Sequence, residues 1–163
     1  MGEKPDYFTL KASVCFIKRD PDPWYTACTG PDCNKKVTES MSGRWMCEKC
    51  NKEYDECRRR YMLTVVLQDT SGQAWFTAFD DMAIKFMGGK TADELHSLKA
   101  NGQTAEFEAA FNAGNFKTYL VKARSKQETY QDEARVKSQV LSVSTIDYVD
   151  ECRQLIEAIH KYN

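Results

Sequence analysis

The sequence predicts a mainly β domain: a small five-stranded barrel with a cysteine-rich insert after its first strand, helices between its third and fourth strands, and an amphipathic helix at its C-terminal end. Three observations predict this. β-Branched and aromatic residues gather in short runs bounded by turn residues. Residues 24–57 hold five of the seven cysteines among polar, turn-rich neighbours. Apolar residues recur at helical spacing in residues 80–113 and again from Val149 onward.

The elements follow in order. Residues 8–18 read as a strand, stopped by Asp20-Pro21-Asp22-Pro23. Residues 61–68 and 73–79 read as a hairpin with a four-residue loop at 69–72. Helical chemistry then takes over with Met82, Ile84, Phe86 and Met87, halted by Gly88-Gly89. Thr91 and Glu94 form a capping box ahead of Leu95 and Leu98. Phe107 and Phe111 share a helical face, and Asn112-Ala113-Gly114 ends that helix. Residues 116–124 alternate as a strand, residues 127–133 read as a polar hairpin loop, and residues 135–143 as the last strand. Five strands with a helix between the third and fourth match the order of an OB-fold. The whole chain, 1–163, reads as one domain with an inserted ribbon at 24–57 and a helical segment at 146–163.

Composition narrows the function. With 163 residues, 42% of them hydrophobic, the chain can bury a core. No run of 18 apolar residues offers a membrane span, and the first residues lack the apolar stretch of a secretory signal. A net charge of −1 excludes a protein that holds polyanions by bulk charge. It leaves room for local patches such as Arg58-Arg59-Arg60. Seven cysteines without an export signal favour ligation or burial over disulfides.

Cys28 and Cys33 stand four residues apart, thirteen more lead to Cys47, and two separate Cys47 from Cys50. Such pairs each place two thiolates on one side of a metal, and two pairs complete a zinc tetrahedron with bonds of about 2.3 Å. Lys35, Lys49 and Lys52 offset the negative charge of four thiolates. Four ligands close the shell, so one structural Zn2+ is expected rather than a catalytic one. An iron–sulfur cluster is the chemical alternative with four cysteine ligands. Cys15 and Cys152 are expected in the core and Cys57 is expected to be buried.

Binding candidates come from aromatic and basic positions. Trp75 and Phe79 are four apart on one strand and share a face, which is either core or a stacking surface. Tyr130 sits in the polar 127–133 segment, where an aromatic ring has no core to fill. Arg135 and Lys137 share a face of the last strand. Arg58 and Arg60 alternate with Arg59 ahead of the second strand, and Lys122 and Arg124 are further candidates. Val149, Cys152, Leu155, Ile156 and Ile159 form an apolar helical stripe that must pack on the barrel or on another chain. No nucleophile–base set, phosphate loop or paired-carboxylate pattern points to an enzyme.

Cys28-Thr-Gly-Pro-Asp-Cys33-Asn-Lys-Lys-Val37 and Trp45-Met-Cys47-Glu-Lys-Cys50 resemble the zinc ribbon of the replication protein A large subunit. The likeness continues through Trp75-Phe-Thr-Ala-Phe79, Ala113-Gly-Asn-Phe116 and Glu128-Thr-Tyr130-Gln-Asp-Glu-Ala-Arg135-Val-Lys137. It implies the C-terminal DNA-binding domain of that subunit, an OB barrel with a zinc ribbon after its first strand. The resemblance further implies single-stranded DNA as ligand, work in nuclear DNA replication, repair and recombination, and groove roles for Trp75 and Phe79. It also implies assembly with two smaller OB-fold subunits through a C-terminal helix, and no membrane partner. Two other readings stand beside this one: a structural assembly module that binds DNA weakly, and a paralogue serving a telomere or telomerase complex.

Overall fold

A computed structural model describes residues 4–130 and 133–162, the side chains of Tyr130 and Glu133 excepted. Alternation drives its barrel. In β1 (Asp6–Ile17) Ala12, Val14 and Ile17 point inward, and in β6 (Arg58–Asp69) Tyr61, Leu63, Val65 and Leu67 do so. β7 (Gly72–Phe79) contributes Phe76 and Ala78, β8 (Thr118–Tyr130) contributes Tyr119, Val121 and Ala123, and β9 (Glu133–Ser144) contributes Val140 and Val143. These five strands run β1-β8-β9-β7-β6 around the sheet, and a β6–β1 pairing closes the ring. All neighbours are antiparallel except β7 and β9, which meet in parallel at Thr77 and Gln139. This is the OB-type closed barrel predicted from element order.

Three helices follow β7: α1 (Asp80–Phe86), α2 (Ala92–Ala100) and α3 (Thr104–Gly114). Their buried residues Phe86, Leu95, Phe107 and Phe111 join the barrel core, each such side chain contributing about 1.5–3 kcal/mol by leaving water. Phe86 meets Tyr119 edge-on at 5.4 Å between ring centroids. The predicted capping box closes α2: Thr91 Oγ1 accepts from the Glu94 backbone N–H at 3.2 Å, and Glu94 accepts from the Thr91 N–H at 2.6 Å. Gly114 lets α3 approach the barrel, since a Cβ there would lie 2.5 Å from Ile17 Cδ1 and 2.7 Å from the Phe86 carbonyl oxygen.

The insert between β1 and β6 contains four short strands: β2 (Trp24–Ala27), β3 (Thr38–Glu39), β4 (Trp45–Cys47) and β5 (Lys52–Tyr54). β2 pairs with the start of β6, and β3-β4-β5 form a separate small sheet. After β9, Asp147 caps α4 (Tyr148–His160) by accepting from the Val149 and Asp150 backbone N–H groups.

Several local expectations are corrected. The β6–β7 turn is tighter than a four-residue loop, because Asp69 and Gly72 are themselves paired. The Asp69 carboxylate accepts from the backbone N–H groups of both Ser71 and Gly72. β8 starts at Thr118 rather than Phe116, whose φ of 64° breaks the extended run. Residues 127–130 are not loop: β8 and β9 stay paired out to Tyr130 and Glu133, while 131–132 lie outside the described residues. Cys152 is exposed, not core, because α4 buries none of its residues. Cys15 and Cys57 are half-buried. Cys15 falls where the β1–β6 register shifts, and Cys57 packs against the ribbon cysteines.

Candidate metal centre and nucleic-acid interface

The four predicted ligands converge. The Sγ atoms of Cys28, Cys33, Cys47 and Cys50 all lie within 4.8 Å of one another. Cys28 and Cys50 are 3.9 Å apart, and Cys33 and Cys47 are 3.8 Å apart. Sulfurs around a tetrahedral ion at about 2.3 Å must stand about 3.8 Å apart, so the donor set fits a metal ion of that kind. The backbone prepares it. Asp32 and Asn51 adopt left-handed φ values of 53° and 49°, a conformation Asp and Asn tolerate, and each adjoins a ligand. The Gly30 N–H donates to Cys28 Sγ at 3.2 Å. A Cβ at Gly30 would meet the Tyr54 hydroxyl at 2.5 Å, so the turn admits glycine alone without displacing that ring.

The thiols share charge unequally. A hydrogen bond from the Lys35 backbone N–H draws Cys33 down to about 7, and the hydrogen bond with Cys33 pushes Cys50 up to about 12. Cys33 thus ionises readily, and Cys50 holds its proton against it until a cation replaces it. Val37 is the one other buried residue of this cluster, with Trp45, Tyr54 and Cys57 at its edge.

The outer face of the barrel carries the predicted aromatics. Trp75 is 56% and Phe79 41% exposed, while the residues between them alternate inward at Phe76 and Ala78. Neither ring fills the core. They stand about 13 Å apart along β7 at about 3.3 Å per residue. Thr77 and its β6 partner Thr64 lie between them. Beside Phe79 opens a cleft of about 540 Å³ whose lining includes Thr77, Arg124, Lys126, Lys137 and Gln139. Lys126 and Lys137 are direct cross-strand partners. Like charges in that register repel, and the one carboxylate of the lining, Glu128, reaches Lys137 only at 3.9 Å. Arg124 donates to Gln139 Oε1 at 2.8 Å, which orients it over β9. Arg135 is exposed two residues from Lys137, opposite Glu128 in the ladder.

The arginine run divides by contact. Arg60 has the groove-facing parity of Met62 and Thr64 and pairs with Asp80 at 3.3 Å beside Phe79. Arg58 has the same parity but serves the ribbon: its guanidinium donates to the Cys33 carbonyl at 2.8 Å and to Asn34 Oδ1 at 2.7 Å. Arg59 pairs with Asp93 of α2 at 3.3 Å. Tyr130 ends β8, and its side chain lies outside the described residues. Lys122 is exposed on β8, two residues from Arg124 and outside the lining of the Phe79 cleft. Sequence reasoning missed Lys126, although its spacing of two from Arg124 marks the same face.

On α4, Val149, Leu155, Ile156 and Ile159 are exposed, as are Tyr148 and Cys152. The helix is tied to the barrel by an ion pair between Lys11 of β1 and Glu151.

Fold and site together define an OB-type barrel with a four-thiol ribbon and an aromatic, cationic outer face. The chain belongs to the replication factor-A C-terminal domain family, whose model matches residues 7–155. It is 40% identical over 159 residues to replication factor A protein 1 of Schizosaccharomyces pombe, covering 98% of this chain and 26% of that protein. The 70 kDa DNA-binding subunit of replication protein A from Xenopus laevis is 37% identical, with 98% and 26% covered. The chain therefore spans about a quarter of the length of these relatives. A solved replication protein A heterotrimer bound to ssDNA superimposes with a TM-score of 0.88 at 35% identity, covering 99% of this chain and 36% of that one. Yeast RPA bound to ssDNA gives 0.86 at 34% identity, covering 99% and 89%. Among the described residues no helix is long and apolar enough to cross a membrane.

Proposed function

We propose that this domain binds single-stranded DNA without enzymatic turnover, across the β7 face from Trp75 to Phe79 and on to the β8–β9 arm. The observation that carries this reading is the pairing of Lys126 with Lys137 beside the exposed Phe79 ring. Two opposed lysines cost folding energy unless an anion sits over them. An adjacent exposed ring is what a base needs once it leaves its own stack. Arg124, Arg135 and Arg60 extend the phosphate track, and Tyr130 remains a stacking candidate from its position in the sequence. The relatives bound to ssDNA support the assignment, and the place of the domain is in nuclear DNA replication, repair and recombination by its family membership. Cys28, Cys33, Cys47 and Cys50 hold one structural Zn2+, and Arg58 ties that ribbon to the strand that floors the groove. The test is an anisotropy titration with single- and double-stranded oligonucleotides. Single strands are expected to bind more tightly, with log affinity falling as salt rises by about 0.7 per phosphate contact. Equal affinity for duplex, or no salt dependence, would defeat the reading.

The domain also assembles with two smaller OB-fold subunits through α4. The row of exposed aliphatic side chains on that helix supports this, as does the heterotrimeric state of one solved relative. Leu155→Glu with Ile159→Glu is expected to abolish co-purification with the two partner subunits while leaving the melting temperature of the isolated chain within about 2 °C, the range of exposed substitutions. Retained assembly would remove α4 from the interface.

A further inference from the structure

β1 contains an irregularity with a consequence for the groove. Its inward residues run Ala12, Val14 and then Ile17, not residue 16. Strict alternation would turn Phe16 into the barrel. Instead the β1–β6 register shifts between Val14 and Phe16, with Cys15 as the extra residue. Such a bulge re-aims the side chains that follow it. Here it delivers Phe16 to the outer face, where the ring is 47% exposed. Phe16 and Trp75 are both partners of Val66 in the ladder, so the two rings flank one β6 position. They meet edge-to-face, 6.2 Å between centroids at 88°. The result is a right-angled aromatic corner on the groove face.

The corner borders a cleft of about 450 Å³ lined by Phe16, Lys18, Arg19, Asp20, Thr64 and Trp75. Arg19 is paired with Glu108 at 3.8 Å. Lys18 makes no ion pair among the described residues. Thr64 connects this cleft to the Phe79 cleft, since its partner Thr77 lines the latter.

Building on the single-strand reading of the β7 face, we infer that Phe16 and Trp75 together form a second nucleobase subsite, at the opposite end of the groove from Phe79, with Lys18 receiving the adjoining phosphate. Two apolar rings at right angles hold one base on two sides, stacking on one ring and abutting the edge of the other. The bulge exchanges Phe16 for Ile17 in the core, so the barrel keeps an apolar side chain at that point while the aromatic ring stands outside beside Trp75. The cation lies within the cleft where a sugar–phosphate must leave the corner. The strand thus runs from the Phe16–Trp75 corner over the two threonines to Phe79 and the β8–β9 arm.

The experiment titrates the zinc-loaded chain and its variants with fluorescein-labelled oligothymidylate. Phe16→Leu keeps the apolar bulk and removes the aromatic face, and it is expected to weaken binding about tenfold, as loss of one stacked base does. Phe16→Tyr is expected to stay within about twofold of the parent, because the phenol retains the π-face. Lys18→Gln is expected to weaken binding and lower the salt slope by about one. If Trp75→Ala weakens binding but Phe16→Leu does not, the corner is not a subsite, while the groove reading stands. If the parent chain shows no preference for single strands, the groove reading itself fails and the corner with it.

Discussion

Withdrawing zinc with a chelator, or replacing Cys47 by serine, is expected to unfold residues 28–57 while leaving the barrel folded. The ribbon buries three thiols and Val37. Burying Val37 supplies about 1.5–3 kcal/mol. Ordering the surrounding backbone costs more than that burial returns, so the cluster cannot hold itself together. Because the ligands come together only on folding, metal binding is itself folding free energy for the ribbon, aided by the β2–β6 pairing and the Arg58 contacts. The barrel core has its own members in Leu63, Val65, Phe86 and Val121, so its protection should persist. Hydrogen exchange read by mass spectrometry separates the two. Peptides from 28–57 should exchange at once without metal, and peptides from 61–67 and 119–123 should remain protected. Zinc should restore the ribbon where magnesium does not, since thiolates are soft ligands. Cys57→Ser and Cys152→Ser should both keep one zinc per chain. Unchanged protection of 28–57 in the metal-free chain would show that the four thiols do not carry the ribbon.

What the sequence made legible follows from how local each signal is. The four cysteines are readable because spacing within a turn determines where two thiols point, whatever surrounds them. The barrel is readable because 61–67 form a short apolar run bounded by polar residues and because Tyr119, Val121 and Ala123 alternate with their neighbours. Phe16 was not readable as a surface residue, because a one-residue bulge inverts the alternation and leaves no mark in composition. The outer β8–β9 arm reads as loop in the sequence for a related reason. Both of its faces meet water, so Lys126 to Glu128 show no apolar period although their backbone is fully paired.

Contacts distant in sequence were the least legible. Arg58 and Arg60 share parity, and only the folded ribbon shows that one grips Asn34 and the other Asp80. The same limit explains Cys152. An apolar stripe specifies that a helix face needs cover but not which chain provides it, and here the barrel of this chain does not. A net charge of −1 likewise concealed how cations are distributed. Arg124, Lys126 and Lys137 face one cleft with a single carboxylate among them, while acidic partners engage Arg59 at α2 and Arg60 at the start of α1.

The combined change Trp75→Ala with Phe79→Ala is expected to weaken single-strand binding about 100-fold while leaving the fold intact. Each ring is worth about 1–3 kcal/mol if one base stacks on it. The two stand about 13 Å apart along β7 with threonines between them, so their contributions should add to within about 0.5 kcal/mol. Stability should change little, because both rings are half-exposed. Trp75 loses an edge contact with Phe16, worth about 0.5–1.5 kcal/mol, and part of the cover over its buried ladder partner Val66. Stacking is also separable from charge. Lys126→Gln should lower the salt slope by about one at similar standard affinity loss for every sequence, whereas the aromatic pair should lower affinity and leave the slope unchanged. Affinity unaltered in the double variant, with circular dichroism and melting temperature matching the parent, would move the strand off this face of the barrel altogether.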